Sequence, residues 1–316
     1  TSKPAVHLCQ EVSTVLAQGG AVFIYNTPQR SGRLTEWHQD IFAEVAEFCR
    51  ARQPYCHKTQ TVPQVAILHS ESSYYMYNDP LFNFGGANEA MEGAMFALLE
   101  NGYSVDIINE ATLLKKLNDY PLVVIPEAKH VADEVKAALK GYVEQGGCVV
   151  LSGAFVAEQY GDLAGVAKAD QAAEGGWLPA GNGAVKVSGN YQPTILQGAK
   201  ALAPVLYQQE PKLNQHNFAA ATLNEVGSGR VVAIHGDIFN NYYKARYPLM
   251  RQFIGDMVHA AKATGLAHVD GPWYVEMALR AKDNRTLVQF VNRSVSGYLS
   301  PNRHIVENVP DAGPFT

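Results

Sequence analysis

Four short apolar runs constrain this chain more than any other feature: QVAILHS (64–70), SVDIINE (104–110), PLVVIPEA (121–128) and CVVLSG (148–153). Runs this short and this continuously apolar belong to strands buried on both faces. Between them lie helical patterns: ANEAMEGAMFALLENG, ATLLKKLND and VADEVKAALKGYVEQGG. Strands alternating with helices at this spacing close into one sheet with right-handed crossovers. The fold class expected is therefore α/β, built on a doubly wound parallel sheet. GRVVAIHGD (229–237) adds a further buried strand, and YPLMRQFIGDMVHAAKATG (247–265) reads as a closing helix. Between them, residues 160–228 loosen into Gly- and Ala-rich sequence, where AVKVSG and FAAATLNEV predict a β-rich insertion.

The flanks have a different character. Residues 4–18 place Val6, Cys9, Val12, Val15 and Leu16 at helical spacing, with a Gly19-Gly20 stop. AVFIYNTP (21–28) reads as a buried parallel strand, and WHQDIFAEVAEFCRAR as an amphipathic helix that Pro54 ends. Helix, strand, helix cannot pack alone, so strand 21–28 needs neighbours this segment does not supply. From Ala267 onward, WYVEMALRAK and NRTLVQFVNRS alternate apolar and polar residues around a turn at Asp283-Asn284, the opening of an all-β domain. The chain starts Thr-Ser-Lys-Pro, without Met, and ends on Gly-Pro-Phe-Thr straight after strand-like sequence. The expectation is a piece of a longer protein.

Charge and cysteine usage narrow the function classes. A formal net charge of −5 over 316 residues provides no basic field for nucleic acid. No apolar run reaches the roughly 18 residues of a membrane span, and nothing near Thr1 reads as a secretion signal. Neither nucleic acid nor membrane is an expected partner. Cys9, Cys49, Cys56 and Cys148 form no CxxC pair and have no His at zinc spacing, so no metal site is expected. Buried free thiols are the preferred reading, with a Cys49–Cys56 pair in an oxidising compartment as the alternative. Asn284-Arg-Thr and Asn292-Arg-Ser match the glycosylation pattern, which chance explains.

A nucleophile on a strand-to-helix elbow must sit at the carboxyl end of its strand, among small residues, with a His in reach. Cys148 starts its strand and so faces the wrong edge of the sheet. Ser152 ends that strand, His235 ends another, and Asp237 follows closely, so a Ser152–His235–Asp237 set is conceivable. The preferred reading is a turn serine and a hydrogen-bonded strand-end histidine.

The run DYPLVVIPEAKHVADEVKAALKGYVEQGGCVVLSG resembles the glutamine-amidotransferase-like trimerisation domain of the family 42 β-galactosidases. The D-Y-x-L-V-V-x-P strand spans Asp119 to Pro126, and Y-V-x-x-G-G spans Tyr142 to Gly147. The resemblance covers roughly residues 62–264. It implies a flavodoxin or class I amidotransferase-like fold without the catalytic cysteine, in keeping with Gly153-Ala154 where the elbow would lie. It also implies a (β/α)8 barrel before this domain and a small β-sandwich after it, an organisation shared in part by α-L-fucosidase-like enzymes. Residues 1–61 would then be the end of the barrel, with 21–28 as its eighth strand. Residues 62–266 would be the amidotransferase-like domain, and 267–316 the start of the sandwich.

On that resemblance the parent enzyme hydrolyses a terminal glycoside without a cofactor. Its two carboxylates lie upstream, leaving no catalytic residue in this chain and no activity of its own. The carboxyl end of strand 21–28 would face the barrel site, where Tyr25, Asn26, Arg30 and Trp37 are candidates to contact the carbohydrate substrate. The loop 71–84 carries Tyr74, Tyr75, Tyr77, Phe82 and Phe84, enough aromatic surface to expect contact with the barrel or another subunit, ahead of direct sugar binding. A homo-oligomer, a trimer by the resemblance, is expected. The amino-terminal part of the same protein could also be present as a separate chain. A cytoplasmic location is weighed ahead of a periplasmic or secreted one. Two rival readings stand beside this: a stand-alone α/β hydrolase or amidotransferase-like enzyme using Ser152 and His235, and an assembly module without a ligand.

Overall fold

The computed structural model describes residues 3–78, 81, 88–169, 173–206, 208–210, 212, 215–294 and 305–316. The chain divides into two compact units: residues 1–62 with 102–104 and 268–316, and residues 63–101 with 105–267.

The first unit opens with α1 (Ala5–Ala17) and α2 (Glu36–Cys56), whose apolar stripes meet around Val12, Leu16 and Val45. Pro54 does not end α2, as the sequence suggested; the helix runs on to Cys56. Its last carbonyls find donors on the strands that follow. Lys282 Nζ reaches the carbonyls of Pro54 and His57, and Gln289 Nε2 that of Tyr55, so the final turn holds despite the proline. Residues 21–28 form no strand: among the described residues nothing pairs with them. They keep a strand's alternation, with Val22 and Ile24 packed against the helices and Phe23 88% exposed. A strand exists only with a ladder partner, and this segment has none. β1 (Gln60–Thr61) follows and pairs with an element that comes much later in the chain.

The second unit carries a nine-stranded sheet. Its parallel half comprises β2 (Val65–His69), β3 (Val105–Asn109), β4 (Leu122–Pro126) and β5 (Cys148–Ser152), joined through α3 (Glu71–Tyr77), α4 (Glu89–Glu100), α5 (Glu110–Lys116) and α6 (Asp133–Glu144). After α7 (Val156–Ala164) and β6 (Val166–Lys168) come β7 (Ala173–Ala180), β8 (Gly183–Tyr191), β9 (Thr194–Leu196), β10 (Lys200–Leu206) and β11 (Gln215–Val226). β12 (Gly229–Ile234), α8 (Ile238–Ala245) and α9 (Pro248–Ala260) complete the unit. The strand order is β3-β2-β4-β5-β12-β11-β10-β7-β8. The first five are parallel and the last four antiparallel, so the sheet is mixed rather than wholly parallel.

Alternation along the parallel strands sends Ala66, Leu68, Val123, Ile125, Val149 and Leu151 into one core with α5, α6 and α7. Val65, Ile67, Leu122, Val124 and Val150 are equally buried on the opposite face, where α4 packs. Below the sheet's amino edge Tyr142 lies flat on Gly147, where any Cβ would overlap its ring. Its hydroxyl donates to the Tyr120 carbonyl at 2.8 Å and accepts from the Cys148 N–H at 3.3 Å. The tyrosine and glycine of the Y-V-x-x-G-G stretch are thus one packing unit.

The first unit resumes with β13 (Val275–Lys282) and β14 (Arg285–Asn292), which form the sheet β1-β13-β14. Asp283 and Asn284 have φ of 50° and 58°, the two positive values a tight two-residue hairpin turn requires. All four cysteines are free.

Candidate functional site

The carboxyl ends of the parallel strands gather the polar side chains of the α/β unit. Two strand ends begin helices by capping. Ser70 Oγ accepts from the Ser73 N–H at the start of α3, and Asn109 Oδ1 from the Thr112 N–H at the start of α5. The Ser70 hydroxyl lies 2.8 Å from Glu110 Oε1, while the Ser72 hydroxyl donates to Glu110 Oε2 at 2.6 Å. The segment after β2, read as part of a long loop, is therefore helical over Glu71–Tyr77 because Ser70 caps it.

Glu127, immediately after β4, is the residue sequence reasoning missed. It adopts φ +49° and turns its carboxylate onto the start of α8. Oε1 accepts from the Phe239 N–H at 2.6 Å and Oε2 from the Asn240 N–H at 3.1 Å. Burial holds this carboxyl well above the usual range, and the nearby Asp237 adds to the effect against those two N–H groups. Asp237 is itself shifted upward by burial, opposed by the N–H groups of Asn190 and Ala154. Gly153, at φ +113°, completes the cluster: a Cβ there would stand 3.0 Å from Glu127 Cα. The only advance signal was a carboxylate directly following the strand in VVIPEA.

Ser152, His235 and Asp237 do not form a catalytic set. Ser152 pairs with Ile234 in the parallel ladder, so His235, one residue on, points to the other face of the sheet. Ser152 Oγ accepts from the Glu127 N–H at 3.3 Å, whereas His235 Nε2 meets Thr222 Oγ1 at 3.1 Å. His235 is fully buried, its Nδ1 has no partner among the described residues, and burial lowers its pKa to about 4. A proton relay needs these side chains on one face, so the stand-alone enzyme reading lacks its geometry. Cys148 is buried at the opposite end of β5, with its Sγ 3.3 Å from the Ala261 carbonyl and its thiol pushed up by burial.

Tyr25, Asn26 and Arg30 lie on the extended segment and turn after α1, and Trp37 in the first turn of α2. Tyr25 is 76% and Trp37 53% exposed, while Asn26 Nδ2 is buried without a partner among the described residues. Trp37 meets His38 edge-on at 4.1 Å. No hydrogen bond or ring contact joins these four residues. In the other unit Tyr74 sits between His69 and Tyr75, at 5.4 and 5.5 Å, and Lys129 Nζ lies 5.2 Å from the Tyr77 ring centre. Phe82 and Phe84 lie outside the described residues. A cleft of about 150 Å³ opens between the ends of β2 and β4, bordered by α3 and the start of α4. Among the described residues no cluster of His, Cys, Asp or Glu could hold a metal ion.

No protein of curated function matches the chain in sequence. The fold is similar to α-L-fucosidase isoenzyme 2 from Paenibacillus thiaminolyticus, at TM-score 0.77 and 15% identity, over 98% of this chain and 49% of that one. It is also similar to a family 42 β-galactosidase from G. stearothermophilus, at TM-score 0.67 and 16% identity, over 89% and 44%. The β-galactosidase from Rahnella sp. R3 aligns at TM-score 0.64 and 18% identity, over 89% and 45%. The chain spans about half the length of these proteins. The family model of the β-galactosidase trimerisation domain matches residues 63–158, the stretch from the start of β2 into α7. The resemblance drawn from the sequence thus stands over residues 63–158, the stretch that matches the β-galactosidase trimerisation domain.

Proposed function

We propose that this chain is the carboxy-terminal portion of a glycoside hydrolase in which the α/β unit assembles subunits, as a trimer, and walls the active site. The observation that carries this reading is the trimerisation-domain match over residues 63–158. Two further points support it. The sheet edge where an amidotransferase-like nucleophile would sit is occupied by the capping carboxylate Glu127 and by Gly153, with Ser152 and His235 on opposite faces. The order of the five parallel strands, second-first-third-fourth-fifth in the chain, is the flavodoxin-like order expected of such a domain. In this reading residues 1–61 are the end of a (β/α)8 barrel, and the hairpin β13–β14 opens a β-sandwich.

Hydrolysis is carried by two carboxylates on the preceding barrel strands, outside residues 1–316. Tyr25, Asn26, Arg30 and Trp37 take part as sugar-contacting residues of the assembled site, with Tyr25 and Trp37 offering ring faces and Asn26 and Arg30 hydrogen bonds. Tyr75 and Tyr77 belong to the contact surface between subunits or with the barrel. The sugar is a terminal β-galactoside, or an α-L-fucoside by the likeness to the Paenibacillus protein.

The test joins two measurements on the full-length gene product and on residues 1–316: molar mass in solution by light scattering, and release of nitrophenol from aryl β-galactosides and α-L-fucosides. The expected result is a trimeric full-length protein that turns over one of these substrates, and a 316-residue chain that turns over neither. A full-length protein that stays monomeric at every concentration, or turnover by the 316-residue chain itself, overturns the reading.

A further inference from the structure

α4 and α8 cross closely because Gly93 has no side chain: a Cβ there would overlap the Phe239 carbonyl. The crossing sets Phe96 of α4 against Tyr243 of α8, with ring centres 6.5 Å apart and planes inclined by 17°. Just past the end of α8, Arg246 takes the left-handed conformation at φ +44° and brings its guanidinium 3.5 Å from the centre of the Phe96 ring. The same guanidinium lies 3.5 Å from Glu100 Oε1. Tyr243, Arg246 and the adjacent Tyr247 nevertheless stay open to solvent. Side chains already held on a ring and a carboxylate have little rotamer freedom left to lose when a partner packs on them. Tyrosine and arginine fixed in this way are the residues that carry most energy at protein contacts.

The same unit carries a second surface of this composition on α3, where Tyr75, Met76 and Tyr77 are each more than half exposed. The two surfaces are separate. Ala90 and Met91 of α4 border the cleft beside Tyr77, and Phe96 lies about one and a half helical turns beyond Met91. They are also unlike each other. The α4–α8 face offers a cation on a rigid base, and the α3 face offers tyrosine rings, the partners a guanidinium prefers. A cyclic trimer needs this asymmetry: it closes through head-to-tail contacts, so each copy presents two different patches, one to each neighbour. A single self-complementary patch makes a dimer and stops there.

We infer that the α4–α8 face, with Phe96, Tyr243, Arg246 and Tyr247, seats the α3 face of a second copy of this chain, so that the Arg246 guanidinium meets the tyrosine rings of α3. This assignment rests on the trimer proposed above and names the two faces that close it. Both faces belong to the α/β unit, the unit that contains the trimerisation-domain match.

Light scattering on the full-length gene product and its variants tests the pairing. The unaltered protein should be a trimer, while Tyr243→Glu and Tyr75→Glu should each weaken association by at least about thirtyfold and run as monomers. Tyr247→Glu, a change at another exposed side chain of the same face, serves if Tyr243→Glu does not fold. Ile195→Glu, at an apolar residue of β9 more exposed than Tyr243, should remain a trimer. Mixing the two monomeric variants should give a dimer, because one intact α4–α8 face and one intact α3 face remain between them. Variants that stay trimeric overturn the assignment and leave the trimer standing. Monomeric variants that fail to pair on mixing also overturn it, since the two faces then do not meet each other. So does a monomeric Ile195→Glu, since any added charge would then suffice. A full-length protein that is monomeric at every concentration overturns both the assignment and the trimer beneath it.

Discussion

Residues 21–28 and residues 64–70 look alike on paper, and the molecule treats them differently. Both are short apolar runs of the kind that fills a parallel sheet. In β2, Val65, Ala66 and Ile67 are entirely buried between β3 and β4, with helices on both faces. In the other run, Val22 and Ile24 turn inward against α1 and α2 while Phe23 and Tyr25 point into solvent. An apolar run therefore specifies a strand only in so far as something else supplies its ladder. The same side-chain pattern without partners is merely extended chain with one sheltered edge.

Substitution at matched positions should break the parity most visibly. Ile67→Ala leaves a void between packed layers and should cost about 4 kcal/mol in denaturant unfolding, whereas Ile24→Ala, half-buried, should cost about 1 kcal/mol or less. Equal losses at the two sites would mean the extended segment is as firmly held as β2.

Acid should sharpen the contrast, because the ladder-held strands carry buried titratable groups and residues 21–28 carry none. His235 has a pKa of about 4 in the folded state against 6.5 ordinarily. Between those values the unfolded chain binds a proton that the native one refuses. Stability is therefore full above pH 6.5 and falls by up to about 3 kcal/mol as pH drops toward 4. Glu127 acts in the opposite sense. Its carboxyl is raised, so its contribution is present below pH 4.5 and is lost as pH rises through its folded value. Urea midpoints measured across this range should lose their acid-side slope in His235→Asn and keep it in Glu127→Gln.

The smallest effect is expected at the exposed ring. Phe23→Ser should leave the unfolding midpoint unchanged to within about 0.5 kcal/mol. In the unaltered protein, amide exchange at residues 22–26 should be orders of magnitude faster than at Val65–Leu68.

The contrast also marks where sequence reasoning stopped. β2, β4, β5 and β12 were legible because burial on both faces leaves an uninterrupted apolar run whatever the surroundings, whereas β3, read as equally buried, is the edge strand, with Ile107 42% exposed. The antiparallel half was only partly legible: AEGGWLPA and KALAPVL, which become β7 and β10, dilute any alternation with Gly, Ala and Pro. The helix Glu71–Tyr77 was hidden by three tyrosines of modest helix propensity, although the serine that caps it stood one residue upstream. Glu127 was out of reach for a different reason. Its role exists only because α8, 112 residues further along, begins beside it. Tyr25, Asn26, Arg30 and Trp37 of the first unit were legible as residue types, but no hydrogen bond or ring contact among them marks a site.

The ring of Tyr142 pressed onto Gly147 has a consequence for how this domain drifts over evolutionary time. The tyrosine fills a notch that exists only while position 147 has no side chain, and its hydroxyl ties the carbonyl of Tyr120 to the first residue of β5. Neither position is free to change alone: a larger residue at 147 expels the ring, and a smaller one at 142 leaves a hole and two unmet backbone groups. Among diverging copies of this domain the two positions should be inherited as a pair, lost together or kept together, even where the sequence around them has become unrecognisable.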